Sequence, residues 1–243
     1  TSRLFNVIAT PGDVFDEVKS GPPSIGNWLV PVCLSILAGI AFSLIVFSQP
    51  AILQKLRDQQ EQALDQQIKD GKITQAQADQ GRHYMEIFSS PAMMKIWGIV
   101  GANIVSFGSV FGWALIAWLL GRWTLHTQFP YMKAVEVTGL SMMIGILGGI
   151  VTLLMVVSLG SLSASPSLAL MARQLNWSSK WQAPLGVVNF FEIWFAVVVS
   201  IGLARLAGVS VGRAASRFFA FWLAWKFFWV ALGLIFGRGQ AAM

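Results

Sequence analysis

The stretch NFFEIWFAVVVSIGLARLAGVSVGRAASRFF, residues 189–219, decides which kind of fold this chain adopts. Its middle is as apolar as a membrane-spanning helix, yet it begins with Asn189 and Glu192. It ends with three arginines, namely Arg205, Arg213 and Arg217. An apolar segment bounded by polar and basic residues is typical of a helix that crosses a bilayer and meets water at both ends. The stretch therefore predicts a membrane protein, with the arginines at one face of the bilayer.

The composition of the whole chain agrees with this prediction. Of its 243 residues, 55% are hydrophobic and only 12% are charged, whereas a soluble domain carries about 25% charged residues. The mean hydropathy is +0.63, and the apolar residues form long blocks, as in an integral membrane protein. The net charge of +6 comes from basic residues between these blocks, so it indicates orientation in the membrane rather than nucleic-acid binding.

The long apolar blocks predict the architecture. A hydrocarbon core of about 30 Å needs roughly 20 apolar residues in a helix. Five segments meet this length or nearly so, at residues 28–47, 96–120, 137–159, 185–204 and 218–236. We therefore predict an all-α, polytopic membrane bundle with five transmembrane helices, which occupies residues 26–243. An N-terminal interfacial segment, residues 1–25, precedes it.

Residues 49–95 form the one sizeable polar insert between the predicted spans. They read as two polar helices, with Asp70-Gly71 at the turn and Thr74 and Gln77 in a capping-box pattern at the start of the second helix. Apolar positions are too sparse for this hairpin to build a core of its own. Two interpretations remain open: a docking platform for a partner, or a solvated connector between spans.

Two shorter stretches predict interfacial helices. In "LFNVIATPGDVFDEV", near the N-terminus, Pro11 follows Thr10 as the first residue of a short helix with an apolar side. A similar stretch begins at Pro166, between the third and fourth spans.

Basic residues near the span ends predict the orientation. Arg205, Arg213 and Arg217 cluster between the fourth and fifth spans, which places that connection in the cytoplasm by the positive-inside rule and the N-terminus with it. The six lysines and arginines in residues 49–95 favour the opposite orientation. We give the arginine cluster more weight, because it lies closest to two span ends.

Two ionisable residues interrupt the predicted spans. Lys226 lies in the middle of the fifth span, and Glu192 lies roughly two turns inside the fourth. Ionisable residues inside a membrane are candidates for function, and a lysine stem is long enough for the two side chains to meet. They form either a structural ion pair or the coupling pair of a transporter.

Small and aromatic residues mark candidate packing or partner-binding faces. Three Gly-x-x-x-Gly pairs allow close approach of helices, and three tryptophans follow the fifth span at helical spacing. These residues are Gly108 and Gly112, Gly145 and Gly149, Gly233 and Gly237, and Trp222, Trp225 and Trp229. No catalytic, cofactor-binding or metal site is expected, because neither of the two histidines, His83 and His126, has a cysteine or paired carboxylates nearby in the sequence.

The pattern of spans and motifs resembles the bacterial branch of the Yip (Ypt-interacting protein) domain family. Pro11 and Phe15 in the N-terminal segment, then Trp28, are similar to the start of that domain. An entry of Asn189, Phe190 and Trp194 into an apolar helix with a glycine, Gly202, is similar to its most recognisable region. A short basic turn, "GVSVGRA", comes next. The resemblance implies five membrane helices after a short N-terminal segment.

The resemblance also implies a class of function. Eukaryotic relatives bind Rab-type GTPases and shape transport vesicles, but their acidic-Leu-Tyr-Gly-Pro signature is absent here, which argues against GTPase binding. Similar bacterial proteins accompany macrolide-type ABC exporters. We therefore expect a non-enzymatic accessory or assembly protein of the bacterial inner membrane, with the lipid bilayer and another membrane complex as partners. A small transporter using Glu192 and Lys226, or a membrane-shaping protein, are the alternatives.

Overall fold

The computed structural model describes residues 2–170 and 188–239, with side chains as far as residue 232. Apart from turns, loops and one antiparallel bridge between Ser167 and Asn189, the described chain is helical. In chain order the helices are α1 (Ser2–Ala9), α2 (Pro11–Ser20), α3 (Gly26–Val46), α4 (Pro50–Lys69), α5 (Gln75–Phe88), α6 (Pro91–Trp123), α7 (Tyr131–Leu159), α8 (Phe190–Ala207) and α9 (Val211–Gly239).

Four of these helices are long and apolar enough to cross a bilayer, namely α3, α6, α7 and α8. The prediction of an all-α membrane bundle is thereby confirmed. The helix α9 covers the fifth predicted span, residues 218–236, and its crossing of the membrane stays a prediction.

The helix ends differ from the predicted spans in two places that matter for function. The helix α7 begins at Tyr131, directly after Pro130, so Lys133 and Glu136 belong to the helix rather than to the connection before a span at 137–159. The helix α8 begins at Phe190, so Glu192 lies in its first turn and not two turns inside it. Hydropathy marks where a helix becomes apolar, whereas prolines and capping side chains set where it begins. Residues 185–187 of the predicted fourth span lie outside the described residues.

The helix α7 lies at the centre of the bundle. Its residues from Lys133 to Ile144 are buried without interruption, which is expected of a helix that is surrounded on all sides by others. It packs against α3, α6 and α8, and also against α1 and α2.

The N-terminal segment is packed onto this bundle. Val7, Val14, Phe15 and Val18 of α1 and α2 are buried in one core cluster with residues of α7 and α8. Only Phe5 among the large apolar residues of α1 and α2 is mostly exposed, at 64%. The apolar side that predicts an interfacial helix thus faces the bundle, and a position at the membrane surface stays a prediction. The second interfacial helix, after Pro166, lies largely outside the described residues.

The helices α4 and α5 occupy the polar insert, residues 49–95, which we call the polar hairpin. Gly71 makes the turn after α4 with a φ of 70°, a conformation that glycine adopts without strain. Thr74 and Gln77 form the predicted capping box at the start of α5. Arg82 of α5 reaches Asp65 of α4 at 3.1 Å, and Leu64 is buried beside Gly81. Few apolar contacts therefore join the two helices.

Glycines allow the closest approaches between helices. At Gly202 of α8, an added Cβ would lie 3.2 Å from ring carbons of Phe15 and closer still to Cγ1 of Val137. At Gly112 of α6, an added Cβ would have nothing within 4 Å. The two positions are therefore a matched pair for testing the packing.

We predict opposite effects of Gly202→Ala and Gly112→Ala on stability. Both changes gain about 1 kcal/mol of helix propensity, but at Gly202 overpacking costs about 1–3 kcal/mol. The unfolding temperature in detergent should fall for Gly202→Ala and stay level or rise for Gly112→Ala. An equal response of the two variants would contradict the close packing of α7 and α2 against Gly202 of α8.

Candidate functional site

The structure brings the two predicted intramembrane charges together. Nζ of Lys226, on α9, contacts Oε2 of Glu192, on α8. The lysine also lies 5.4 Å from the centre of the Trp222 ring, in a cation–π contact. Glu192 is 47% exposed in its side chain and Lys226 is 23% exposed. The first turn of a helix favours a carboxylate through the helix dipole, so Glu192 has a stabilising role at the end of α8 besides its contact with Lys226.

The three predicted tryptophans of α9 have different surroundings. Trp222 is 5% exposed and packs in a cluster with residues of α6 and α8. Trp225 and Trp229 are 40% and 56% exposed, and their ring centres lie 5.6 Å apart. One tryptophan thus holds α9 to the bundle, while the other two form an outward-facing aromatic surface.

Two of the three predicted glycine pairs, those of α6 and α7, lie on open faces. An added Cβ at Gly108, Gly112, Gly145 or Gly149 would meet nothing within 4 Å. Close packing within the chain uses other glycines, such as Gly139, Gly148 and Gly202. The side-chain surroundings of Gly233 and Gly237 lie outside the described residues. Partner binding by the open pairs stays a prediction.

A second charged cluster, which sequence reasoning missed, lies in the interior. Glu136 of α7 is 1% exposed and accepts a hydrogen bond at Oε2 from Nδ2 of Asn27, at 2.6 Å. Its other oxygen, Oε1, lies 3.2 Å from Nζ of Lys133. That contact is an ion pair without hydrogen-bond geometry, and Oε1 has no hydrogen-bond partner. Lys133 instead donates to the backbone oxygens of Val18 at 2.6 Å and Gly21 at 2.7 Å.

This cluster could have been found from local spacing. Lysine and glutamate three residues apart share one face of a helix, and Pro130 sets the start of a helix that contains both. Hydropathy instead places the start of the third predicted span at residue 137. Lys133 is therefore assigned to the connection before that span. Asn27 carries no such signal, because its contact with Glu136 joins residues 109 positions apart.

The arginines that predict the orientation lie at one end of the bundle. Arg205 is at the end of α8, 3.4 Å from Oδ2 of Asp16 in α2. Arg213 and Arg217 are exposed in the first turns of α9. The same end therefore carries the N-terminal segment, the start of α7 and the three arginines.

The polar hairpin exposes a small apolar surface outside the four candidate spans. Tyr84, Ile87 and Phe88 of α5 are 52%, 47% and 51% exposed, and the rings of Tyr84 and Phe88 lie 6.5 Å apart. We call these three residues the hairpin patch. The described residues contain no group of three or more His, Cys, Asp or Glu side chains placed to hold a metal.

We predict that the contact between Glu192 and Lys226 stabilises the bundle. Glu192→Gln should lower the free energy of unfolding by about 1–3 kcal/mol, between the value for an exposed pair and that for a buried one. Adding Lys226→Met should recover much of the loss, because no unpaired charge remains. Thermal unfolding of the single and double variants in detergent measures this. Additive losses in the double variant would mean that the two side chains do not interact.

Comparison with known proteins identifies the family. The model of the Yip1 domain matches residues 5–234 of this chain. No curated protein matches the chain, and no solved structure matches it. The match covers the N-terminal segment, the four candidate spans, the polar hairpin and most of α9. This family is one of membrane proteins that is not known for enzymatic activity. The chain is thus an integral membrane protein and belongs to the Yip1-domain family.

Proposed function

We propose that this protein is a non-enzymatic accessory or assembly protein of the bacterial inner membrane, which binds another membrane complex. An ABC-type export system is the partner class that the family resemblance suggests. The observation that carries the proposal is the hairpin patch, Tyr84, Ile87 and Phe88, which is held outside the four candidate spans on a hairpin with little core of its own. Exposed aromatic residues on a rigid helix are typical anchors of protein interfaces.

The helix faces in the bilayer support the same proposal. The open glycine pairs of α6 and α7 leave space for a close helix neighbour. Van der Waals packing at small residues is a main source of association between helices in lipid. A partner that crosses the membrane could therefore contact both these faces and the hairpin patch.

A transporter that uses Glu192 and Lys226 fits the geometry less well. Glu192 lies in the first turn of α8 and is 47% exposed, so the pair lies at the edge of the bundle rather than on an internal path. A membrane-shaping role is also less well supported, because α1 and α2 use most of their apolar side on the bundle.

We predict that the hairpin patch is needed for partner binding. Replacing Tyr84, Ile87 and Phe88 with serine should reduce co-purification of a membrane partner at least about tenfold, since single interface anchors are worth about 2 kcal/mol or more. The four candidate spans should stay folded, because each satisfies its backbone hydrogen bonds internally. Quantitative mass spectrometry of the purified complex gives the readout.

The matched control is the double change Gln59→Ser with Gln62→Ser on α4, where both residues are exposed on the same hairpin. It should leave the partner bound. Deletion of residues 56–87 with a flexible linker in their place should reproduce the effect of the patch variant. Full recovery of the partner with the deleted hairpin would show that the hairpin is a connector.

The proposal includes an orientation with the N-terminus in the cytoplasm. The arginine cluster at the end that carries α1 and α2 supports it. The polar hairpin then lies on the periplasmic side, and a cysteine at the exposed position Gln62, in a Cys33→Ser background, should react with an impermeant reagent in intact cells. Labelling only after the membrane is permeabilised would reverse the orientation.

A further inference from the structure

Lys133 holds the end of a helix to which it does not belong. An ammonium group has three donors, and three oxygens surround this one: the backbone oxygens of Val18 and Gly21 and Oε1 of Glu136. Val18 lies in the last turn of α2, and Gly21 is its C-terminal cap residue. The last carbonyls of a helix lack partners within it and carry partial negative charge. Lys133 of α7 therefore caps α2 with a buried positive charge.

Glu136 is held in place from a third helix. Asn27, the second residue of α3, donates to its Oε2. The cluster thus joins the end of α2 and the starts of α3 and α7. All three residues are at least nine-tenths buried, so water contributes little to the solvation of either charge.

The helices α1 and α2 are attached to the bundle on one side only. Phe15 is fully buried against the Gly202 position of α8, and Asp16 pairs with Arg205. The opposite side of α2 carries Asp13 and Glu17, which are both exposed. The helices α1 and α2 also pack against each other, so they can separate from the bundle together.

The contact between α2 and α7 is made by the buried charges of Lys133 and Glu136 as well as by apolar side chains. A buried ion pair costs much desolvation energy, and apolar residues of similar volume are often as stabilising. Buried charges instead specify one arrangement, because any displaced arrangement leaves a charge without its partners.

From these contacts we propose that residues 2–20 form a strap, which closes over α7 and α8 and is held shut by the cap that Lys133 places on α2. Opening the strap separates α1 and α2 from the bundle as a unit. It uncovers the apolar face of α7 and α8 that includes Val137, Leu140 and Val198. This inference goes beyond the proposed function and does not depend on it.

The test measures how fast a buried residue of the strap becomes accessible. Val7 is fully buried, so Val7→Cys in a Cys33→Ser background should react slowly with a thiol reagent. The variant Glu136→Gln keeps both carbonyl contacts of Lys133 but leaves its buried charge without a carboxylate partner. It should therefore also raise the rate, because an unpaired buried charge destabilises the closed arrangement. Lys133→Met combined with Glu136→Gln removes the cap without leaving an unpaired charge. It should raise the rate at least about tenfold, since the two hydrogen bonds lost involve a charged group.

Two controls separate strap opening from a general loss of stability. Lys95→Met removes a positive charge from the start of α6 and should leave the labelling rate unchanged. Lys133→Arg retains donors and charge and should label more slowly than the variant without the cap. Amide exchange of α7 and α8 should remain slow when the strap opens. Equal labelling with and without the cap, or a parallel rise in exchange along α7 and α8, would overturn the proposal.

Discussion

The charge of Lys133 is the constraint on which the arrangement of the bundle depends. A lysine ammonium buried in a helical membrane protein must find oxygens, because neither lipid nor packed apolar side chains can solvate it. Here those oxygens come from α2, from the link that follows α2 and from Glu136 of the same helix. The positions of α2 and α7 are thereby fixed relative to each other at the end of the bundle where the N-terminal segment lies.

The central position of α7 depends on its first turns, which include Lys133 and Glu136, and on the turns that follow them. Its first turns carry the buried charges and its next turns contact α3, α6 and α8. Small residues at the crossings allow this number of neighbours, since Gly139 lies against Trp28 of α3 and Gly148 against Phe191 of α8. A side chain at either position would push the neighbouring helix away. Charge at one end and glycine along the length therefore act together to place α7 inside the bundle.

Two of the ion pairs among the described residues, Lys133 with Glu136 and Lys226 with Glu192, occupy different environments and act differently. The pair of Lys133 and Glu136 is enclosed and ties three helices together, so its loss affects how the N-terminal segment attaches. The pair of Lys226 and Glu192 is partly exposed and joins the start of α8 to the middle of α9. Its position at the bundle edge is suited to holding α9 in register, and the cation–π contact with Trp222 strengthens that attachment.

The sequence by itself determined the membrane class, the apolar helices and the capping box at Thr74, because length, hydropathy and local hydrogen bonds are properties of neighbouring residues. It also suggested that Glu192 and Lys226 could meet. It did not reveal the cluster of Lys133, Glu136 and Asn27, because Asn27 lies 109 positions from Glu136 in the sequence. It also did not reveal which glycines lie at helix crossings. Hydropathy reports how apolar a segment is, but only the tertiary structure decides which face each residue turns to a neighbour and which polar group lies opposite a buried charge.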